Sequence, residues 1–403
     1  MSTRTNATLP LAGIRVLDMS QVIAGPYCCM LLGDMGADVV KVEPPDVGDQ
    51  SRSWGFPMKG SDNTGFMALN RNKRSIVLDL KKTADRDVLS RLIDTADVLV
   101  ENGRPGVAKR LGYGYPAASA RNPRLIYASI SGFGQSGPWA ERPGFDLIAQ
   151  AMSGMMSVTG YPDEPPAKCG VPVADLGAAM YAVYAILSAV IGRATSGQGQ
   201  HIDASLFEAA LGFSIWEASE YWATGAAPGP IGTASRMSAP YQAFRTADGY
   251  IAIGAGNDRL WKMLCDAIGR PELVNDARFT NNIGRLANLP ALIKELEQAF
   301  TQQSTAEWVE RLLAAGVPAG PILDYGEALE SEHTRERGMV MEMQHPMEGP
   351  IRALGYPVKL SAIQQQLRYP PPRLGQHTDE ILAELGLKPT AHKPLPGVNH
   401  DRR

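Results

Sequence analysis

One carboxylate stands where a carboxylate can react. Residues 159–177 read Thr-Gly-Tyr-Pro-Asp-Glu-Pro-Pro-Ala-Lys-Cys-Gly-Val-Pro-Val-Ala-Asp-Leu-Gly. Pro162, Pro165, Pro166 and Pro172 keep this loop out of a helix. The stretch that follows, Leu176–Ile191, is long and apolar with no internal proline, which predicts a buried helix. Asp175 therefore falls at a helix start, where free N–H groups and the helix dipole favour negative charge. Two roles fit: an N-cap, or an ionised nucleophile with helix-end N–H groups near enough to stabilise an oxyanion. Chemistry at this one position leaves both open.

Other candidates are weaker. Gly132-Phe-Gly-Gln-Ser-Gly137 has the spacing of a dinucleotide fingerprint after a strand, but Pro138 and Trp-Ala-Glu-Arg-Pro follow in place of a helix. No helix N-terminus would then face a pyrophosphate. Arg71, Lys73, Arg74, Lys81 and Lys82 form a basic cluster around a strand. With the turn residues Asn102 and Arg104, they could hold a polyphosphate tail by charge; the alternative is a solvated face. His201, His333, His345, His377, His392 and His400 form no ligand pair, so no metal site is expected. Gly-x-Ser-x-Gly is missing too, which leaves a carboxylate as the nucleophile for any acyl chemistry.

The elements that must position these residues alternate. Residues 14–18 read as a strand, Ser20–Pro26 as a loop, the next residues to Met35 as a helix and Ala37–Glu43 as a strand. Such a unit implies a parallel sheet with a right-handed crossover, and ligands outside the strand C-termini, at Gln21–Gly25 and Glu43–Gly48. Ser75–Leu80, Asp97–Glu101 and Leu125–Ser131 continue as strands, Ala84–Thr95 as an amphipathic helix, and 145–157, 176–194 and 204–223 as helices. Residues 224–240 shift to Gly, Pro, Ala and Ser, a linker or mobile loop. A hairpin follows at Tyr241–Thr246 and Tyr250–Gly254, then helices at 257–268, 288–301 and 304–315, short strands from Met339 to Leu360 and a last helix at 377–386. The fold class is α/β: a large Rossmann-like domain of 1–223 and 331–403, with a linker and small α+β domain at 224–330.

The 403 residues, 20% charged with net charge −3, fit a soluble two-domain enzyme and give no support to a nucleic-acid or membrane partner. Cys28, Cys29, Cys169 and Cys265 lack metal spacing and read as small hydrophobes in a reducing compartment. Residues 1–10 have no apolar core of a signal peptide, so a cytoplasmic location is expected.

Several segments in order are similar to one family. Asp18-Met-Ser-Gln-Val-Ile-Ala-Gly-Pro26, Gly36-Ala-Asp-Val-Val-Lys-Val-Glu43, Asn70-Arg-Asn-Lys-Arg-Ser75, Val100-Glu-Asn-Gly-Arg-Pro-Gly106, Ala174-Asp-Leu-Gly177, Ala239–Gly249 and Leu374-Gly-Gln-His-Thr378 resemble the class III CoA-transferases. That family includes formyl-CoA and carnitine CoA-transferases and the 2-methylacyl-CoA racemases. The resemblance spans residues 10–387. It implies an interlocked homodimer whose active site lies between the large domain of one subunit and the small domain of its partner. It also implies that Asp175 is the nucleophile and that CoA contacts Val22, Ala24, Leu78, Lys81, Asn102 and Arg110. CoA would be a substrate, with no permanently bound cofactor. Two departures are visible: Pro44 stands where formyl-CoA transferase has an arginine, and Gly232–Ala239 replaces its glycine-rich loop.

The resemblance also separates two chemistries. A racemase needs two bases, and the racemases look to use a histidine at the position of Phe145, which cannot move a proton. Phe145 thus favours transfer, with Asp146 left to orient the site or contact the acyl carboxyl region. The chain looks closest to members that pass CoA from succinyl-CoA to a dicarboxylate through an aspartyl anhydride and an aspartyl-CoA thioester. Arg236, in the linker, is the candidate for the second carboxylate, against the reading of a solvated loop arginine. The rivals are a CoA-ester isomerase and a non-catalytic CoA-ester binding protein.

Overall fold

The computed structural model describes residues 9–59, 62–363 and 366–388. The expectations for residues 1–8, and for His392 and His400, lie outside the described residues. The chain divides into two compact units. One comprises the residues up to Met155, Cys169–Ser219 and the chain from His333 on; the other comprises Met156–Lys168 and Glu220–Glu332.

The first unit is built on a six-stranded sheet of β1 (Arg15–Asp18), β2 (Asp38–Glu43), β3 (Lys73–Val77), β4 (Val98–Glu101), β5 (Ile126–Ser131) and β6 (His201–Ser205). Every pairing is parallel and the order is β3-β2-β1-β4-β5-β6. Inner strands covered on both faces must be apolar throughout, and Val98, Leu99 and Val100 of β4 are wholly buried. Alternate side chains build two cores. Val16, Val39, Val100 and Ala128 pack with the helices Ala24–Asp34 and Val173–Ser196. Leu17, Val40, Leu99 and Tyr127 pack with Thr83–Thr95 and, from the far end of the chain, Ile381 and Leu382 of Thr378–Glu384.

The expected buried helix after Asp175 is buried on one side only. Ala174, Ala178, Ala182, Ile186 and Ala189 face the core, where small side chains let the helix approach the sheet. Met180, Tyr181, Tyr184 and Ile191 are exposed on the other side. By length and composition alone this helix is apolar enough to cross a membrane.

Two strands differ from their sequence reading. β6 falls where 204–223 was expected to begin a helix; its polar His201, Asp203 and Ser205 suit an edge strand, and the helices Leu206–Phe213 and Ile215–Thr224 follow. β3 starts at Lys73 rather than Ser75; Lys73 and Arg74 are buried there by ion pairs to Asp18 of β1 and Asp38 of β2.

The second unit carries an antiparallel sheet of β7 (Tyr241–Arg245), β8 (Tyr250–Gly254) and β9 (Ala319–Pro321). Helices Asp258–Ala267, Leu289–Phe300 and Thr305–Ala314 enclose Phe244, Trp261, Phe279, Phe300 and Trp308. Asn257 caps the first of these helices, and Ser304 with Glu307 makes a capping box on the third. A hairpin, β10 (Val340–His345) with β11 (Gly349–Leu354), belongs to the first unit.

Charge fixes the carboxyl end of β1. Lys73 Nζ lies 2.8 Å from Asp18 Oδ2, from the Pro26 carbonyl and from Asn70 Oδ1. Lys41 Nζ is 3.6 Å from the same Asp18 oxygen and 2.8 Å from Asp49. Burial alone would raise the Asp18 carboxyl, but Lys41 and Lys73 overcome that and hold it far below the usual range. Removing one partner strands a buried charge. Lys73→Met is expected to destabilise the protein by about 3–5 kcal/mol in urea unfolding, against the roughly 1 kcal/mol or less of a surface pair.

Candidate active site

In this strand order the connections reverse direction between β1 and β4, and the crevice outside their carboxyl ends is the expected ligand site. Two loops border it, the one after β1 and the turn after β4. They are joined by one side chain: Asn102 Oδ1 accepts from the Gln21 N–H at 2.8 Å, and Nδ2 donates to the Gln21 carbonyl at 2.7 Å. Asp49 Oδ1 accepts the next N–H, from Val22, at 3.0 Å. Val22 has φ 71°, a left-handed backbone that costs a β-branched residue of order 1–3 kcal/mol, so the loop is held there by its neighbours. A Cβ at Gly25 would lie 2.2 Å from Ser20 Cβ, so only glycine closes this turn into the helix Ala24–Asp34.

The expected CoA contacts lie along this edge in different states. Val22 is half-buried and Ala24 buried; Leu78, just after β3, is buried and its N–H reaches the Glu43 carbonyl at 2.9 Å. Lys81 and Arg110 are exposed. The basic cluster of the sequence reading is largely internal. Arg71 is bound to Asp34, Lys73 to Asp18, and Arg74 to Asp38, Glu380 and Glu384. Only Lys81 and Lys82 of the five stay exposed. The Gly132–Gly137 turn is followed by no helix, and its Gln135 N–H is taken by Asp203 at 2.9 Å.

The helix Val173–Ser196 feeds directly into β6, so it runs antiparallel to the sheet and its N-terminus lies on the carboxyl side of the strands. Asp175 is in its first turn and half-buried. It is not the N-cap, because Pro172 holds that position without a side-chain bond. The cap comes from a different element. Asp146, first residue of the helix Asp146–Met152, accepts on Oδ1 from the Ala174 N–H at 2.9 Å and the Asp175 N–H at 3.3 Å. The helix-end donors expected to serve an oxyanion are thus already engaged by a carboxylate. The same arrangement sets two negative groups close together. Burial first, and Asp146 second, push the Asp175 carboxyl up to about 7. No cation pairs with Asp175 among the described residues.

Phe145, just before Asp146, is 63% exposed. Arg236 belongs to the second unit, where its guanidinium bonds the Gly229 carbonyl and lies 3.7 Å from Glu220. It is half-buried and has these two partners. Sequence reasoning passed over Gln150, which bonds Asp146; its signal was the four-residue spacing from Asp146 on a helix.

Residues 11–378 match the CoA-transferase family III. This chain belongs to that family. The family is supported at high similarity: the succinyl-CoA:glutarate CoA-transferase of Mus musculus is 39% identical over 93% of this chain and 86% of its own length. The acetyl-CoA:oxalate CoA-transferase of Acetobacter aceti is 44% identical over 87% and 89%. A CAIB/BAIF family protein from Brucella suis has the same fold, with TM-score 0.84 and 39% identity over 94% of this chain and all of that one. The enzyme is a CoA-transferase, which uses CoA thioesters as substrates.

A carboxyl pushed up to about 7 becomes an anion only as pH rises through that value, so any step that needs the Asp175 anion would be pH-dependent. The rate of such a step would rise tenfold per pH unit below about 7 and level off above it. Stability has the opposite sign. A pKa raised on folding contributes stability that is fully present below the unfolded value, about 3.9, and is lost as pH rises through the folded one. Relative to Asp175→Asn, the wild type should therefore lose stability between about pH 4 and 7, in urea titrations at each pH.

Proposed function

We propose that this CoA-transferase moves CoA from succinyl-CoA to a short dicarboxylate through covalent intermediates on Asp175. The observation that carries the reading is the Asp175 carboxylate itself: half-buried, free of any cation among the described residues, in a first helical turn on the carboxyl side of the sheet. A carboxylate that is neither paired nor fully hydrated keeps its nucleophilicity. CoA is assigned to the crevice at β1 and β4, with Val22, Ala24, Leu78, Lys81, Asn102 and Arg110 around it. The relatives' names supply the substrate class, since glutarate and oxalate are both dicarboxylates.

The sequence of steps conserves atoms and needs no external energy. The Asp175 oxygen attacks the thioester carbonyl, the C–S bond breaks, and CoA leaves as thiolate from a mixed anhydride. The thiolate attacks the aspartyl carbonyl, forming a new C–S bond and releasing succinate. The acceptor carboxylate then attacks this aspartyl-CoA, expelling the thiolate and forming a second anhydride. Attack of the thiolate on the acceptor carbonyl makes the new acyl-CoA and restores the Asp175 carboxylate. Phe145 and Asp146 border the acyl group in this reading, and Arg236 meets the acceptor's second carboxylate. The racemase chemistry has no second base at Phe145.

An interlocked homodimer fits the same reading. Met180, Tyr184 and Ile191 on the helix Val173–Ser196, and Trp216 and Trp222 on Ile215–Thr224, expose apolar surface of the kind that subunits cover.

With succinyl-CoA as donor, kcat/KM for glutarate should exceed that for pentanoate at least about tenfold, and Asp175→Asn should lower transfer by roughly a thousandfold or more. Arg236→Ala should reduce the dicarboxylate preference with less effect on pentanoate. Undiminished transfer by the Asp175 variant, or exchange of the acyl α-proton with deuterated water, would overturn the reading.

A further inference from the structure

Gln150 is one turn beyond Asp146 on the same helix and has no exposed surface. Its Nε2 donates to Asp146 Oδ2 at 2.6 Å, and its Oε1 accepts from the Cys169 N–H at 2.9 Å. The two ends of one amide are used in opposite senses, which fixes its orientation, because a flipped amide would face acceptor to acceptor and donor to donor. The other Asp146 oxygen holds the Ala174 and Asp175 N–H groups. Cys169 to Asp175 is thereby closed into a ring by Gln150 and Asp146.

We propose that Gln150 is a positioning residue for CoA transfer: it aims the Asp146 carboxylate at the helix start and, through it, fixes where the Asp175 carboxylate meets the thioester. This rests on Asp175 being the nucleophile. The geometry favours Gln150 over a passive core role, because an apolar side chain would fill the same volume without a donor for Asp146. A half-buried carboxylate that loses a donor is free to move from its place at the helix start. Movement of Asp146 weakens its effect on the Asp175 carboxyl, which it helps to raise.

The test is CoA release from succinyl-CoA in a single turnover, followed from about pH 5 to about pH 9 in the full-length enzyme. Gln150→Leu is expected to lower the plateau rate at least about tenfold, since small misplacements of reacting groups carry losses up to about a hundredfold. It should also move the midpoint about one unit toward acid, as the Asp146 carboxylate moves away from Asp175. Gln150→Met keeps a side chain of similar size and removes the donor to Asp146, so its plateau should fall as well. Asp146→Asn combined with Gln150→Leu should be no slower than Asp146→Asn alone, because both act through one group.

A Gln150→Leu enzyme with a lowered melting temperature but the wild-type midpoint and plateau would overturn the proposal. So would a Gln150→Met enzyme with the wild-type plateau, and that variant decides the matter if the leucine form does not fold. Wild-type enzyme that releases no CoA overturns the Asp175 reading and this proposal together. Wild-type release with unaltered variants overturns this proposal alone.

Discussion

Two lysines without exposed surface end on one aspartate, and the geometry of the crevice depends on that contact. Lys41 and Lys73 come from β2 and β3, and Asp18 closes β1. None of the three is stable inside a protein alone, since burying an isolated charge costs several kcal/mol even after relaxation. Together they fix the point at which the chain leaves the sheet for the loop that borders the crevice. Lys41 extends the network to the Ser20 carbonyl and to Asp49, and Asp49 holds the Val22 N–H in its left-handed turn. Asn102 ties the same loop to the end of β4. Rigid charge inside the sheet is thus converted into a defined backbone shape at its edge.

The opposite arrangement holds at Asp175. There the fold places two carboxylates together at a helix start, with no cation between them among the described residues. The helix N-terminus offsets part of the repulsion by donating to Asp146. Burial, with what remains of the repulsion second, keeps the Asp175 carboxyl high, which costs stability at neutral pH. In the proposed function, that carboxylate, set apart from the neutralised network of Asp18, Lys41 and Lys73, serves as the nucleophile.

Much of this was legible in the chain. The βαβ pattern gave the parallel sheet, because buried inner strands such as Val98–Glu101 are apolar runs between helical periodicities. The prolines before Asp175 placed the helix start to within a few residues. What escaped depended on partners remote in sequence. Arg74 reads as a surface cation until Glu380 and Glu384, 306 and 310 residues away, fold over it. By position Asp175 fits an N-cap, one of its two open roles, yet the cap comes from Asp146, 28 residues upstream of the nearest bonded N–H. β6 escaped because an edge strand with polar residues at alternate positions carries no apolar run.

The central claim is a covalent bond to one side chain, and the most direct measurement detects it. The enzyme is incubated with succinyl-CoA, treated with hydroxylamine, digested, and the peptide containing Asp175 is weighed by mass spectrometry. Hydroxylamine converts an activated aspartyl group to a hydroxamate and leaves a free carboxylate unchanged. A hydroxamate is expected on Asp175 that forms only when succinyl-CoA is present and disappears when an acceptor dicarboxylate is added first. An unmodified Asp175 peptide from enzyme that is actively transferring CoA would contradict it.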